Sequence, residues 1–74
     1  MQSKGSIEIE GTKVEYCVTH FEEVSELGIE NGRISKLQCK VAGQTILNYD
    51  RGWDIEPETE LARKALAILI EEYN

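Results

Sequence analysis

The sequence predicts an α+β domain: an antiparallel sheet of four to five short strands, with one C-terminal amphipathic helix packed on one face. Three observations carry this. Apolar and polar residues alternate with period two through residues 6–10, 13–19 and 34–41, the pattern of half-buried strands. Glycine-containing steps separate those runs, as hairpins require. From Leu61 the spacing changes, and Leu61, Ala62, Ala65, Leu66, Ile68, Leu69 and Tyr73 fall on one helical stripe.

Taken in order, residues 1–4 read as a flexible N-terminus. Ser6-Ile7-Glu8-Ile9-Glu10 is the first strand, broken at Gly11-Thr12. In the second, 13–19, Val14, Tyr16 and Val18 share a face. Phe21 to Glu26 loses the alternation and reads as a loop or a bulged continuation. Asn31-Gly32 suits a two-residue turn whose central residues both take positive φ. It would set Glu30 opposite Arg33 and Ile29 opposite Ile34.

The next strand, 34–41, puts Leu37, Cys39 and Val41 on one face. Ala42-Gly43 turns the chain into a last strand over 44–49. With a two-residue turn there, Cys39 would face Ile46. Strand parity then sends Cys17 and Cys39 to opposite faces, which argues against a disulfide between them. Glu56-Pro57 is the expected helix start. Glu71 and Glu72 oppose the helix dipole and predict a frayed end.

Seventy-four residues make a single domain, 1–74, and one this small buries only about 60% of its unfolded surface. With 41% hydrophobic and 30% charged residues, the composition is globular and not that of a disordered chain. The longest uncharged apolar run, 65–70, is far short of a membrane span. Nothing near residue 1 resembles a secretory signal, so a cytoplasmic location is expected. A formal charge of −6 argues against direct nucleic-acid binding, because phosphate contacts need a basic face.

No phosphate loop, C-x-x-C or H-E-x-x-H pattern is present. His20 is the lone histidine. It lies three residues after Cys17, a spacing that puts strand side chains on opposite faces. No catalytic residue, cofactor or metal ligand is therefore assigned. The outstanding segment is Tyr49-Asp50-Arg51-Gly52-Trp53-Asp54. It concentrates Tyr, Arg and Trp, the side chains enriched at binding hot spots.

With Gly32-Arg33-Ile34-Ser35-Lys36-Leu37, this segment resembles a family of short uncharacterised proteins of Gram-positive bacteria and their phages, over about residues 27–73. The resemblance implies no enzyme activity. It implies a phage or mobile-element origin, a setting in which small acidic proteins act by binding a host protein.

The expected function is a non-catalytic protein-binding module that pairs with itself as a homodimer or with another protein. Its surface would be the sheet face the helix leaves uncovered, carrying Ile34, Leu47 and Tyr49. Leu47, Tyr49, Arg51 and Trp53 are the candidate contact residues. The alternative is an acidic inhibitor filling a nucleic-acid-binding groove, with Glu22, Glu23, Glu26 and Glu30 in place of phosphates.

Overall fold

The computed structural model describes residues 1–74. Strands β1 (Gln2–Ile9), β2 (Thr12–His20), β3 (Ile34–Val41), β4 (Gln44–Asp50) and β5 (Trp53–Ile55) form one sheet in chain order, every neighbour antiparallel. Helix α1 (Glu60–Tyr73) covers one face. Its Ala62, Ala65 and Leu69 share a single core cluster with Val14, Val18, Leu37, Cys39 and Leu47. The architecture is the α+β fold that the patterning predicts, and no helix is long and apolar enough to cross a membrane.

Two tight hairpins set the outer registers. Glu10-Gly11 (φ 51° and 83°) and Ala42-Gly43 (φ 50° and 81°) each place two consecutive residues at positive φ. That backbone twist matches the strands it joins. Three single-residue shifts then re-aim side chains. Ser35 is the extra residue between the pairs Thr19↔Lys36 and His20↔Ile34. Ile46 is extra between Lys40↔Thr45 and Cys39↔Leu47. Asp54 is extra between Tyr49↔Trp53 and Asn48↔Ile55.

A one-residue shift exchanges the two faces of everything beyond it. Leu47 therefore sits opposite Cys39, where an unbroken register would put Ile46. Leu47, Tyr49 and Ile34 consequently point into the core beneath α1 and not onto the uncovered face. That uncovered face carries Gln2, Lys4, Glu15, Lys36, Gln38 and Asn48. It is mainly polar, with Cys17 near its β1 side and Ile55, opposite Asn48, at its β5 edge as the apolar exceptions.

The thiols separate as parity demands. Cys39 is fully buried in the core, and Cys17 lies half-buried on the open face, where the Gln2 side-chain amide donates to its sulfur at 3.2 Å. The N-terminus is paired, not loose: β1 begins at Gln2, and Met1 and His20 exchange backbone hydrogen bonds of 2.8 and 2.9 Å.

Asn31-Gly32 forms no hairpin. The left-handed residues are Glu30 and Asn31, within a short 3-10 turn over Ile29–Asn31, and Gly32 has an ordinary negative φ. Two tertiary contacts override the local turn preference. Ile29 is drawn into the core at 2% exposure. The Asn74 side chain accepts from the Ile34 N–H at 2.9 Å and donates to the Ile29 carbonyl at 3.0 Å. Gly32 is required by close approach, since a Cβ there would collide with the Asn74 amide.

The helix also starts later than Pro57. Thr59 caps it, its hydroxyl accepting from the Ala62 N–H at 3.1 Å, a free amide satisfied in the first turn. At the other end Glu71 and Glu72 remain helical. The Tyr73 hydroxyl is hydrogen-bonded to that of Tyr16 at 2.9 Å, and its ring lies 4.9 Å from His20. Asn74 adds its own bridge, so tertiary anchoring outweighs the unfavourable dipole.

Leu69 is 1% exposed at the centre of this packing, whereas its neighbour Ile68 is 43% exposed. Leu69→Ala is expected to cost about 2–5 kcal/mol, and Ile68→Ala no more than about 0.5 kcal/mol. Urea unfolding of the two variants beside the parent measures both.

Candidate functional site

The domain leaves a conspicuous group of large apolar side chains outside its core. Phe21 (53%), Val24 (66%) and Leu27 (52%) lie exposed in the loop between β2 and β3. Trp53 (38%) and Ile55 (41%) lie exposed on β5. Tyr49 connects the two sets. Its hydroxyl donates to the Leu27 carbonyl at 2.9 Å, and its ring meets Trp53 edge-on with centroids 5.0 Å apart. Tyr49 itself is buried at 7%, so it supports the surface from behind.

The loop owes its shape to its own backbone. The Ser25 N–H donates to the Gly32 carbonyl at 3.0 Å, and the Gly28 N–H to the Ser25 carbonyl at 3.0 Å. The Ser25 hydroxyl accepts from the Leu27 N–H at 3.1 Å. Gly28 cannot be replaced without displacement, because a Cβ there would meet the Gly32 carbonyl oxygen. These bonds hold Phe21 and Leu27 on the walls of a shallow groove of about 380 Å³, with Ser35, Lys36 and Arg51 opposite.

Arg51 stands in the turn between β4 and β5 at φ 55°, followed by Gly52 at φ 157°. Its backbone N–H donates to the Ser35 carbonyl at 2.9 Å, which locks the turn to β3. Its guanidinium, largely solvated, is 3.9 Å from the Asp50 carboxylate, which Lys36 also approaches at 3.9 Å. Ion pairs this exposed contribute about 0–1 kcal/mol, so the Arg51 head remains available. Asp54 takes no part, accepting instead from the Asn48 amide at 3.0 Å.

The four candidate contact residues therefore divide. Arg51 lines the groove with Phe21 and Leu27, whereas Trp53 packs on Tyr49 and lines a separate hollow with Ile46 and Thr59. Leu47 and Tyr49 lie beneath α1, and only Tyr49 touches the group. The members that patterning missed are Phe21, Val24 and Leu27. The signal was present in Phe21-Glu22-Glu23-Val24-Ser25-Glu26-Leu27, an apolar residue every third position in a stretch that fits neither strand nor helix. Glu22, Glu23, Glu26 and Glu30 are all exposed in the same loop and form no ion pair.

No three His, Cys, Asp or Glu side chains converge as metal ligands. His20 is engaged with the Ser3 hydroxyl at 3.3 Å and with Tyr73. Tyr16 is raised above the ordinary tyrosine value, first by its hydrogen bond to Tyr73 and then by burial. Burial alone pushes the Cys39 thiol up to about 12.

Both shifts favour the protonated form in the folded state, so the stability they contribute is present below the ordinary values and lost as pH rises through the folded ones. Stability should accordingly fall between about pH 9 and 12, as urea unfolding across that range would measure. In the native protein at pH 8, one thiol, Cys17, should react quickly with a disulfide reagent. Cys39 should react only on unfolding. Two equally fast thiols would contradict the placement of Cys39.

Neither the curated proteins nor the solved structures include a significant match to this chain. The family model described as a domain of unknown function, DUF7678, matches residues 1–74. The chain thus belongs to the DUF7678 family, and the five-stranded sheet with its single covering helix is the fold of this member.

Proposed function

We propose that this domain is a non-catalytic protein-binding module whose contact surface is the sheet end formed by Phe21, Val24, Leu27, Arg51 and Trp53. The observation that carries the reading is the exposure of Phe21, Val24 and Leu27 beside an available Arg51, with exposed Trp53 joined to the loop through Tyr49, in a domain whose uncovered sheet face is mainly polar. Grouped apolar exposure of this kind marks interaction surfaces, and Trp and Arg are the side chains that dominate their energetics. Three exposed glutamates interleave with the apolar loop residues. The complementary partner therefore offers an apolar hollow with a basic rim.

On this reading the domain works in the cytoplasm, where Cys17 and Cys39 stay reduced. The partner is a host protein if the gene is carried by a phage or mobile element, as the resemblance of the Tyr49–Asp54 segment suggests.

The second reading, an acidic inhibitor of a nucleic-acid-binding protein, is favoured by the unpaired, exposed Glu22, Glu23, Glu26 and Glu30. Salt separates the two. Contacts between exposed charges weaken steeply as ionic strength rises, and apolar ones do not. Affinity capture from the source cell should retain a protein at high salt with the parent domain. Capture should be lost with Phe21→Ser/Leu27→Ser and with Trp53→Ala, and kept with Gln38→Ala on the polar face. Capture abolished by salt and by Glu22→Gln/Glu23→Gln/Glu26→Gln, yet indifferent to the apolar variants, would favour the acidic reading. Capture indifferent to both sets would remove support from this surface.

A further inference from the structure

The two edges of the sheet differ. β5 is three residues long, while β1 runs for eight and has no neighbour on its outer side. Because Met1 and His20 exchange both backbone bonds, the register Gln2↔Thr19 assigns the remaining odd residues of β1 to the inner ladder. Hydrogen-bonded and non-bonded pairs alternate along an antiparallel ladder. The N–H and C=O groups of Gln2, Lys4, Ser6 and Glu8 thus face outward, without partners in the chain. Such an edge is a template for another strand.

The side chains on that edge specify which strand fits. Lys4, Ser6 and Glu8 project from the open face, and neither Lys4 nor Glu8 forms an ion pair within the chain. A second copy of β1 laid antiparallel, with the two-fold axis at Ser6, sets Lys4 directly opposite Glu8 of the other copy, twice by symmetry. Residues of equal parity face each other in that register, so the outward groups of both strands meet in bonding phase and close about six ladder hydrogen bonds. On the helix side, Ile7 comes opposite Gly5, over which the Tyr16 ring lies. Shifting the axis to Gly5 sets Lys4 opposite Ser6 and leaves no charge pair, and shifting it to Ile7 sets Lys4 opposite Glu10, which stands in the hairpin turn and is already bound by Lys64 at 2.8 Å. Edge charges ordinarily repel an identical strand; here one of each sign sits symmetrically about Ser6 and attracts it.

We propose that two copies of the chain pair through β1 into a continuous ten-stranded sheet centred on Ser6. The partner-contacting ends then lie at the far sides of a two-fold dimer, two identical sites on one rigid sheet. This interface is independent of the surface proposed above. Phe21→Ser/Leu27→Ser should leave it intact, so the two readings fail separately.

Sedimentation equilibrium on the purified chain tests it. The parent should be a dimer. Ser6→Pro removes an outward N–H and no inner-ladder bond, a position where an edge strand tolerates proline, and should sediment as a folded monomer. Lys4→Glu and Glu8→Lys each place like charges across the axis twice and should weaken the dimer about tenfold. The double variant Lys4→Glu/Glu8→Lys reverses both signs and should restore it. A parent that stays monomeric at every concentration reached overturns the proposal. A dimer that survives both single reversals unchanged overturns it as well, whether or not Ser6→Pro folds.

Discussion

One constraint governs this molecule: a single 14-residue helix covers one face of a five-stranded sheet, so an apolar strand residue is buried only by reaching that face. Residues on β2 do so by simple alternation, with Val14 and Val18 fully buried. On β3 and β4 alternation alone would fail, because the apolar positions before and after the bulges have opposite parity. The extra residues at Ser35 and Ile46 correct it. They bring Ile34 into the same core as Leu37, and Leu47 and Tyr49 opposite Cys39 and Leu37. Each bulge leaves one residue unpaired in the ladder and lets its whole strand segment face the helix.

Function is confined by what that solution leaves over. The open face becomes mainly polar and loses its claim as an apolar interface. The exposed apolar residues of the loop after β2, Phe21, Val24 and Leu27, collect where that loop meets the turn after β4. Ser25 and Gly28 bonds shape that loop, Arg51 is tied to β3 through its backbone, and Tyr49 joins loop to β5 from inside the core. The proposed contact surface is thus backed by rigid elements, which would limit the ordering lost on binding.

Much of this is legible in the sequence, and what is not has a physical cause. Period-two runs identify β1 to β3, the Ala42-Gly43 turn places β4, and the helical stripe identifies α1, because burial against one face imposes those periods. Ala42-Gly43 reads correctly as a tight turn. Asn31-Gly32 does not, because Asn74, more than forty positions away, supplies the hydrogen bonds that a hairpin partner would. The helix start moves from Pro57 to Thr59 because a side-chain acceptor for the Ala62 amide outweighs a residue that merely tolerates the first turn. The candidate site is half visible. Trp53 and Arg51 stand out by composition. Leu47 and Tyr49 are misplaced by the Ile46 bulge, which has no glycine or other local signal to announce it.

Cross-strand NMR contacts across β3 and β4 test the central claim, that bulges bring both strands' apolar residues under one helix. Backbone proton contacts between Cys39 and Leu47, together with methyl contacts from Leu47 to Leu69 or Ala65, are the predicted result. Contacts joining Cys39 to Ile46, with Leu47 free of the helix, would mean an unbroken register and an apolar open face, and would contradict the account.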